Sequence, residues 1–277
     1  LVLVDMILDN RTAGLINLNL TQQQLVSSAG SSPLFLNDYG SQNLYGVPKP
    51  NQSLEEVEQL LLDQLALIKA GEFEDWIIPA IINDFKKNEK AGLEFNRARV
   101  DTMRQSFIEG SDWDYHVAEI NRMEQLTKDD VVAVANKYFG DNYISVYRID
   151  DQHTLPPVEK PQIDPVTIDP TRQSEFAAYI LSMPFDEIEP AFVEADSDYR
   201  VIEFADGVDL YYAPNPLNDL FTFSIGIEVG TEENEKLGLS AALLDVAGTP
   251  SMSNEEQQKE WYRMGSELRF GAGENSS

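Results

Sequence analysis

The sequence predicts an α+β fold, with antiparallel strands packed against helices, and three observations support it. From Phe221 to Val229 apolar residues alternate with polar ones: Phe221, Phe223, Ile225, Ile227 and Val229 share one side, and Thr222, Ser224, Gly226 and Glu228 the other. That is the two-residue period of a half-buried strand. From Ser53 to Gly140 the apolar residues instead recur at helical spacing, between readable caps. Between these blocks, Asp150 to Asp198 holds prolines 156, 157, 161, 165, 170, 184 and 190, half of the chain's 14. Such a segment favours extended backbone and cannot form a sheet core or a long helix. The expected organisation is therefore a helix-rich segment over 1–150, a proline-rich linker or strap over 151–200, and a new unit opening over 201–277.

In chain order, Val2 to Leu8 reads as an apolar helix broken around Asn10 to Gly14, and a second short helix carries Leu15, Ile16, Leu18 and Leu20. Leu25–Phe35 and Asp38–Val47 read as two strands joined by a polar turn. Ser53 with Glu56 forms a capping box before the stripe Leu54, Val57, Leu61, Leu65 and Ile68, and Gly71 closes that helix. Further helices are expected over about Asp75–Ala91, with Pro79 either near the start or kinking it, and over Ala98–Phe107. A fourth is capped by Ser111, and a fifth, capped by Thr127 with Asp130, ends at Gly140. Tyr143 to Ile149 then returns as a strand. The linker keeps Phe176, Tyr179, Ile180, Phe185 and Phe192, so an ordered strap with a short helix near Glu175–Leu181 is expected. Asp206-Gly207 between two β-rich runs marks a hairpin over Val201–Tyr212. After the Phe221 strand, Gly230 to Lys236 turns the chain. Leu237, Leu239, Ala242, Leu243 and Val246 then form a buried helix that stops at Gly248. Ser253 caps a last helix, and Trp76, Trp113 and Trp261 are expected in the core.

The strand, the turn that runs from Gly230-Thr231 to Gly238-Leu239, and the helix ending in Gly248-Thr249 together resemble the opening of a repeat in the pitrilysin/insulinase family of zinc peptidases. The resemblance implies a fold of pitrilysin/mitochondrial-processing-peptidase-like repeats. In the family's catalytic repeat this helix carries H-x-x-E-H, two zinc ligands one turn apart beside a general-base Glu. The matching positions here are Ala241, Leu244 and Asp245, two of which can neither bind zinc nor move a proton. This copy therefore resembles the family's inactive repeat. The helical block resembles the second half of such a repeat, with GEFEDWIIPAIINDFK as its long helix. Gly265-Ser266-Glu267-Leu268 resembles the start of a later strand. The lone charge on the apolar helix, Asp245, is expected to be held by a nearby cation or backbone amide, or to serve a function.

Composition narrows the classes. Twenty basic against 48 acidic residues give a net charge of −28, which repels nucleic acid and anionic membranes. The charge serves either as a scattered solubilising surface or as an acidic chamber that attracts basic peptides. No apolar run reaches membrane-spanning length. With no Cys there are no disulfides and no thiolate ligands. Neither a nucleophile motif nor a phosphate loop occurs. Of the two histidines, His116 stands three residues before Glu119, either a weak ligand pair or a solvated pair on a helix face; His153 has no evident partner. The sequence starts at Leu1 inside a helical pattern and stops at Ser277 after a strand-like run. It is thus expected to be part of a longer polypeptide, and its lack of a signal-peptide pattern is uninformative.

The resemblance implies a non-catalytic part of a zinc metalloendopeptidase that hydrolyses peptides in a two-half chamber, with this segment supplying wall and hinge. No cofactor is expected in this chain, whereas zinc is expected in the parent. The expected partners are a peptide substrate and the remaining parts of the same polypeptide or a partner half. The alternative is a non-catalytic assembly or binding subunit of the same fold. A bacterial envelope, periplasmic or cytoplasmic location follows from the resemblance alone.

Overall fold

A computed structural model describes residues 1–150, 158–166 and 169–277. The chain divides into two compact units, Leu1–Tyr147 with Leu217–Ser277, and Arg148–Pro216. Helices combine with two separate two-stranded antiparallel sheets, so the fold class is α+β.

The core of the first unit forms around α1 (Val2–Leu8), whose Leu3, Val4, Ile7 and Leu8 are all buried. Asn10 then turns the chain, its side-chain carbonyl accepting from the amides of Thr12 and Ala13. A π-helical turn, Asn17–Thr21, follows and buries Leu18 and Leu20. Strands β1 (Ser28–Phe35) and β2 (Gly40–Val47) pair with Ser28 opposite Val47 and Phe35 opposite Gly40. Helix α2 (Leu54–Ala70) packs on β2, and Val57 occupies the space that a Cβ on Gly46 would need. Both ends of α2 are as expected: Ser53 and Glu56 cap each other, and Gly71 closes the helix at φ 72°. In α3 (Ile77–Gly92) Pro79 falls in the first turn, where its missing N–H costs no helical bond. The same helix buries Ile77, Ile78, Ala80, Ile81 and Ile82. Helix α4 (Asn96–Glu109) follows, and α7 (Lys128–Tyr138), with the expected Thr127–Asp130 capping box, lays Val131 and Ala135 into the core.

Five expectations are corrected. The fourth helix breaks at Ala118 into α5 (Trp113–Val117) and α6 (Glu119–Met123). Its cap is Asp112, which accepts from the Asp114 amide at 2.8 Å, because Ser111 bonds back to Ser106. Trp113, expected in the core, is exposed and stacks on His116. The expected strands Tyr143–Ile149 and Phe221–Val229 do not form, since alternation sets a strand's faces without supplying a neighbour. Finally, α9 (Lys236–Leu244) forms, yet it buries none of its residues and ends before Gly248. The last helix, α10 (Asn254–Arg263), starts at the Ser253–Glu256 capping box and packs on α3 through buried Tyr262.

In the second unit, α8 (Glu175–Ser182) is capped by Ser174 at 3.1 Å. Strands β3 (Arg200–Ala205) and β4 (Val208–Tyr212) form the expected hairpin, with Gly207 at φ 74° in its turn.

Stability should be concentrated accordingly. Ile81→Ala, at a residue with no exposed surface, is expected to cost about 3 kcal/mol in urea unfolding. Leu239→Ala, at a residue 75% exposed, should stay within about 0.5 kcal/mol.

Candidate functional site

The turn before α9 is fixed by short-range bonds. Glu233 accepts from the Gly230 amide at 2.8 Å, and Asn234 accepts from the Lys236 amide at 3.1 Å. Ser240 donates to the Lys236 carbonyl at 2.9 Å. At the far end, the Asp245 amide donates to the Ala241 carbonyl at 3.2 Å, so these two positions lie one helical turn apart on one face. The structure therefore brings Ala241, Leu244 and Asp245 together on α9 and its C-cap. A methyl and an isobutyl group give that face no lone pairs. Asp245 is exposed, so its charge faces solvent rather than a buried partner.

His116 and Glu119 lie on either side of the Ala118 break, with Nδ1 and Oε2 4.0 Å apart. That separation is too long for a hydrogen bond. Among the described residues, no three His, Asp or Glu side chains gather closely enough to hold a metal ion. A structural zinc ordinarily takes four protein ligands, and this pair offers two. His153 lies outside the described residues.

Two polar constellations escape sequence reading. On α1, buried Asp5 accepts from the Ser31 hydroxyl at 2.6 Å and from the Gln42 side-chain amide at 2.5 Å. One turn on, Asp9 accepts from the Ser31 amide at 3.0 Å. Its signal was a single acid inside the apolar run LVLVDMIL. On the outer face of α2, Glu58 accepts from Ser145 and Tyr147, whose two-residue spacing puts both on one side of the extended segment. The Ser145 and Tyr147 hydroxyls hold the Glu58 carboxyl below its ordinary range, and the Glu58 carboxylate pushes the Tyr147 phenol up to about 12. A shallow concavity of about 350 Å³ lies between α10 and the start of α3, lined by Trp76, Met252, Glu74, Glu256, Glu260, Lys259 and Arg263. Its charges are paired along the wall, Lys259 with Glu255 at 2.9 Å and Arg263 with Glu260 at 3.5 Å.

The Glu58–Tyr147 bond sets a pH dependence. A phenol raised in the folded state contributes stability that is complete below its unfolded value of about 10 and is lost as pH rises through the folded value. The lowered Glu58 contributes in the opposite direction, losing its share as pH falls through its folded value. In an NMR titration with labelled tyrosine, Glu58→Gln should bring the Tyr147 midpoint from about 12 towards the ordinary value of about 10. An unchanged midpoint would show that Glu58 is not its cause.

No protein-family model matches the chain, and no curated protein matches it. Among solved structures, the chain is similar to one described as the crystal structure of a protease from Helicobacter pylori, at 21% identity and a TM-score of 0.46. The match covers 50% of this chain and 34% of that one, so the chain spans about a third of that protein's length.

Proposed function

We propose that the chain is a non-catalytic part of a zinc-dependent metalloendopeptidase of the pitrilysin/insulinase kind, supplying chamber wall and hinge. The observation behind this reading is the sequence order over Phe221–Thr249, an alternating segment, a turn from Gly230-Thr231 to Gly238-Leu239 and a helix, with Ala241, Leu244 and Asp245 where zinc ligands and base would stand. The one-turn spacing of Ala241 and Asp245 on α9 is the spacing such a motif needs. In a metallopeptidase, zinc supplies a nucleophilic water at neutral pH. The residues here do not fit that ion, so no step of hydrolysis runs through them. The chain's part is to receive and enclose peptide, while zinc and catalysis belong to the rest of the polypeptide or to a partner half.

A second reading, an assembly or binding subunit of the same fold, draws on the uncovered apolar side chains of α9, Leu239, Leu243 and Leu244. Peptide hydrolysis separates the two. It should be measured with zinc added and with zinc chelated, on this chain and on a longer polypeptide that contains it. The peptidase reading expects cleavage by the longer polypeptide alone, abolished by chelation. Absence of cleavage by either favours the assembly reading, and cleavage by this chain alone contradicts both.

A further inference from the structure

Helix α4 presents its apolar stripe to solvent. At about 100° per residue, Val100, Met103 and Phe107 fall within about 60° of one another, and all three are exposed, Phe107 at 86%. Ser106 alone of the helix's residues is buried. Arg97 and Arg104 stand along one side of the stripe and Arg99 along the other, each exposed. Of the helix's two acids, Asp101 is shared by Arg97 at 3.6 Å and Arg104 at 3.2 Å. The other, Glu109, lies at the C-terminal end, turned away from the stripe. A chain of net charge −28 thus carries an apolar strip with a basic rim. Local helix preference does not account for it. Phe95 at the N-cap supplies no capping bond, and Arg97 and Arg99 stand near the N-terminus, where the helix dipole favours acids. A helix of 14 residues with one buried side chain is marginal by itself and gains from cover.

We propose that the outer face of α4 docks an acidic amphipathic helix of another protein. Its apolar side chains lie over Val100, Met103 and Phe107, and its carboxylates meet Arg97, Arg99 and Arg104. The stripe has the i, i+3, i+7 spacing with which one helix anchors along another, and the rim selects the partner's charge. Carboxylates near Arg97 and Arg99 would also offset the unfavourable placing of two cations at that helix end. Two copies of the chain set face to face on α4 would put arginines against arginines. An anionic membrane would meet much of the acidic surface at once. A single helix meets only the rim, because charges further than about 8 Å away are largely screened at physiological salt. Docking on α4 involves neither α9 nor a metal and does not rest on the peptidase reading.

The test is titration of the whole chain with an 18-residue alanine-based peptide that carries leucines at i, i+3, i+7 spacing and glutamates on both sides of them. The same peptide with lysines for glutamates is its control. The glutamate peptide should bind about tenfold or more tightly than the lysine peptide, and Phe107→Asp should weaken it by about tenfold or more. Leu239→Asp, at a comparably open apolar residue of α9, should leave binding unchanged. Arg97→Glu, Arg99→Glu and Arg104→Glu together should reverse the order of the two peptides, a gain of binding that loss of structure cannot mimic. Equal binding of the two peptides, or binding that survives Phe107→Asp, would overturn the proposal. So would Phe107-dependent binding to phosphatidylserine vesicles in place of the peptide, or a dimer of the chain that Phe107→Asp dissolves.

Discussion

The core of the first unit depends on the burial of α1. Four of its seven residues are apolar and covered, and α2, α3, α7 and β1 all close on it. Each such side chain, fully buried, contributes about 1.5–3 kcal/mol relative to exposure. The helix also carries Asp5 into the same interior, and this imposes a second condition. Ser31 and Gln42 must face it, and they do so from one face of the hairpin, because Gln42 pairs with Pro33, two residues from Ser31. A one-residue slip of β1 would turn Ser31 to the opposite face and leave the carboxylate short of a partner, a cost of several kcal/mol for a buried charge. Hydrophobic burial thus places the hairpin, and one buried acid fixes its register.

No comparable closure occurs over Leu217–Thr249. The residues that would line a sheet's inner face, and the helix that would pack on it, are present in the right order, but their apolar side chains stand uncovered. Order without cover is a reason to look for function there in what the surface receives. It fits equally a wall that meets substrate and a subunit that meets a partner. The same helix argues against chemistry of its own, since Ala241 and Leu244 offer neither a ligand nor a proton carrier.

Helix ends were legible in the sequence because capping is local: Ser53 with Glu56, Thr127 with Asp130 and Ser253 with Glu256 each satisfy two groups within four residues. The Asp206-Gly207 hairpin was legible for the same reason. Pairing between distant segments was not, because alternation at Phe221–Val229 or Tyr143–Ile149 specifies two faces and no neighbour. The shift of the cap to Asp112 escaped because Ser111, a plausible cap by type, is engaged by Ser106. The lone-acid argument was sound but applied to the wrong helix: Asp245 is solvated at a C-terminus, whereas Asp5 is the buried one. For the candidate site, the spacing of Ala241 and Asp245 was readable, and the exposure of the face they share was not.

Limited proteolysis of the native chain with a protease that cuts beside large apolar residues tests the central claim most directly. If α1 and its neighbours hold the stable core and Leu217–Thr249 opens readily, cuts at Phe221 to Val246 appear well before any in α1, α2 or α3. Simultaneous cutting in both regions, or first cuts within α3, would contradict the account.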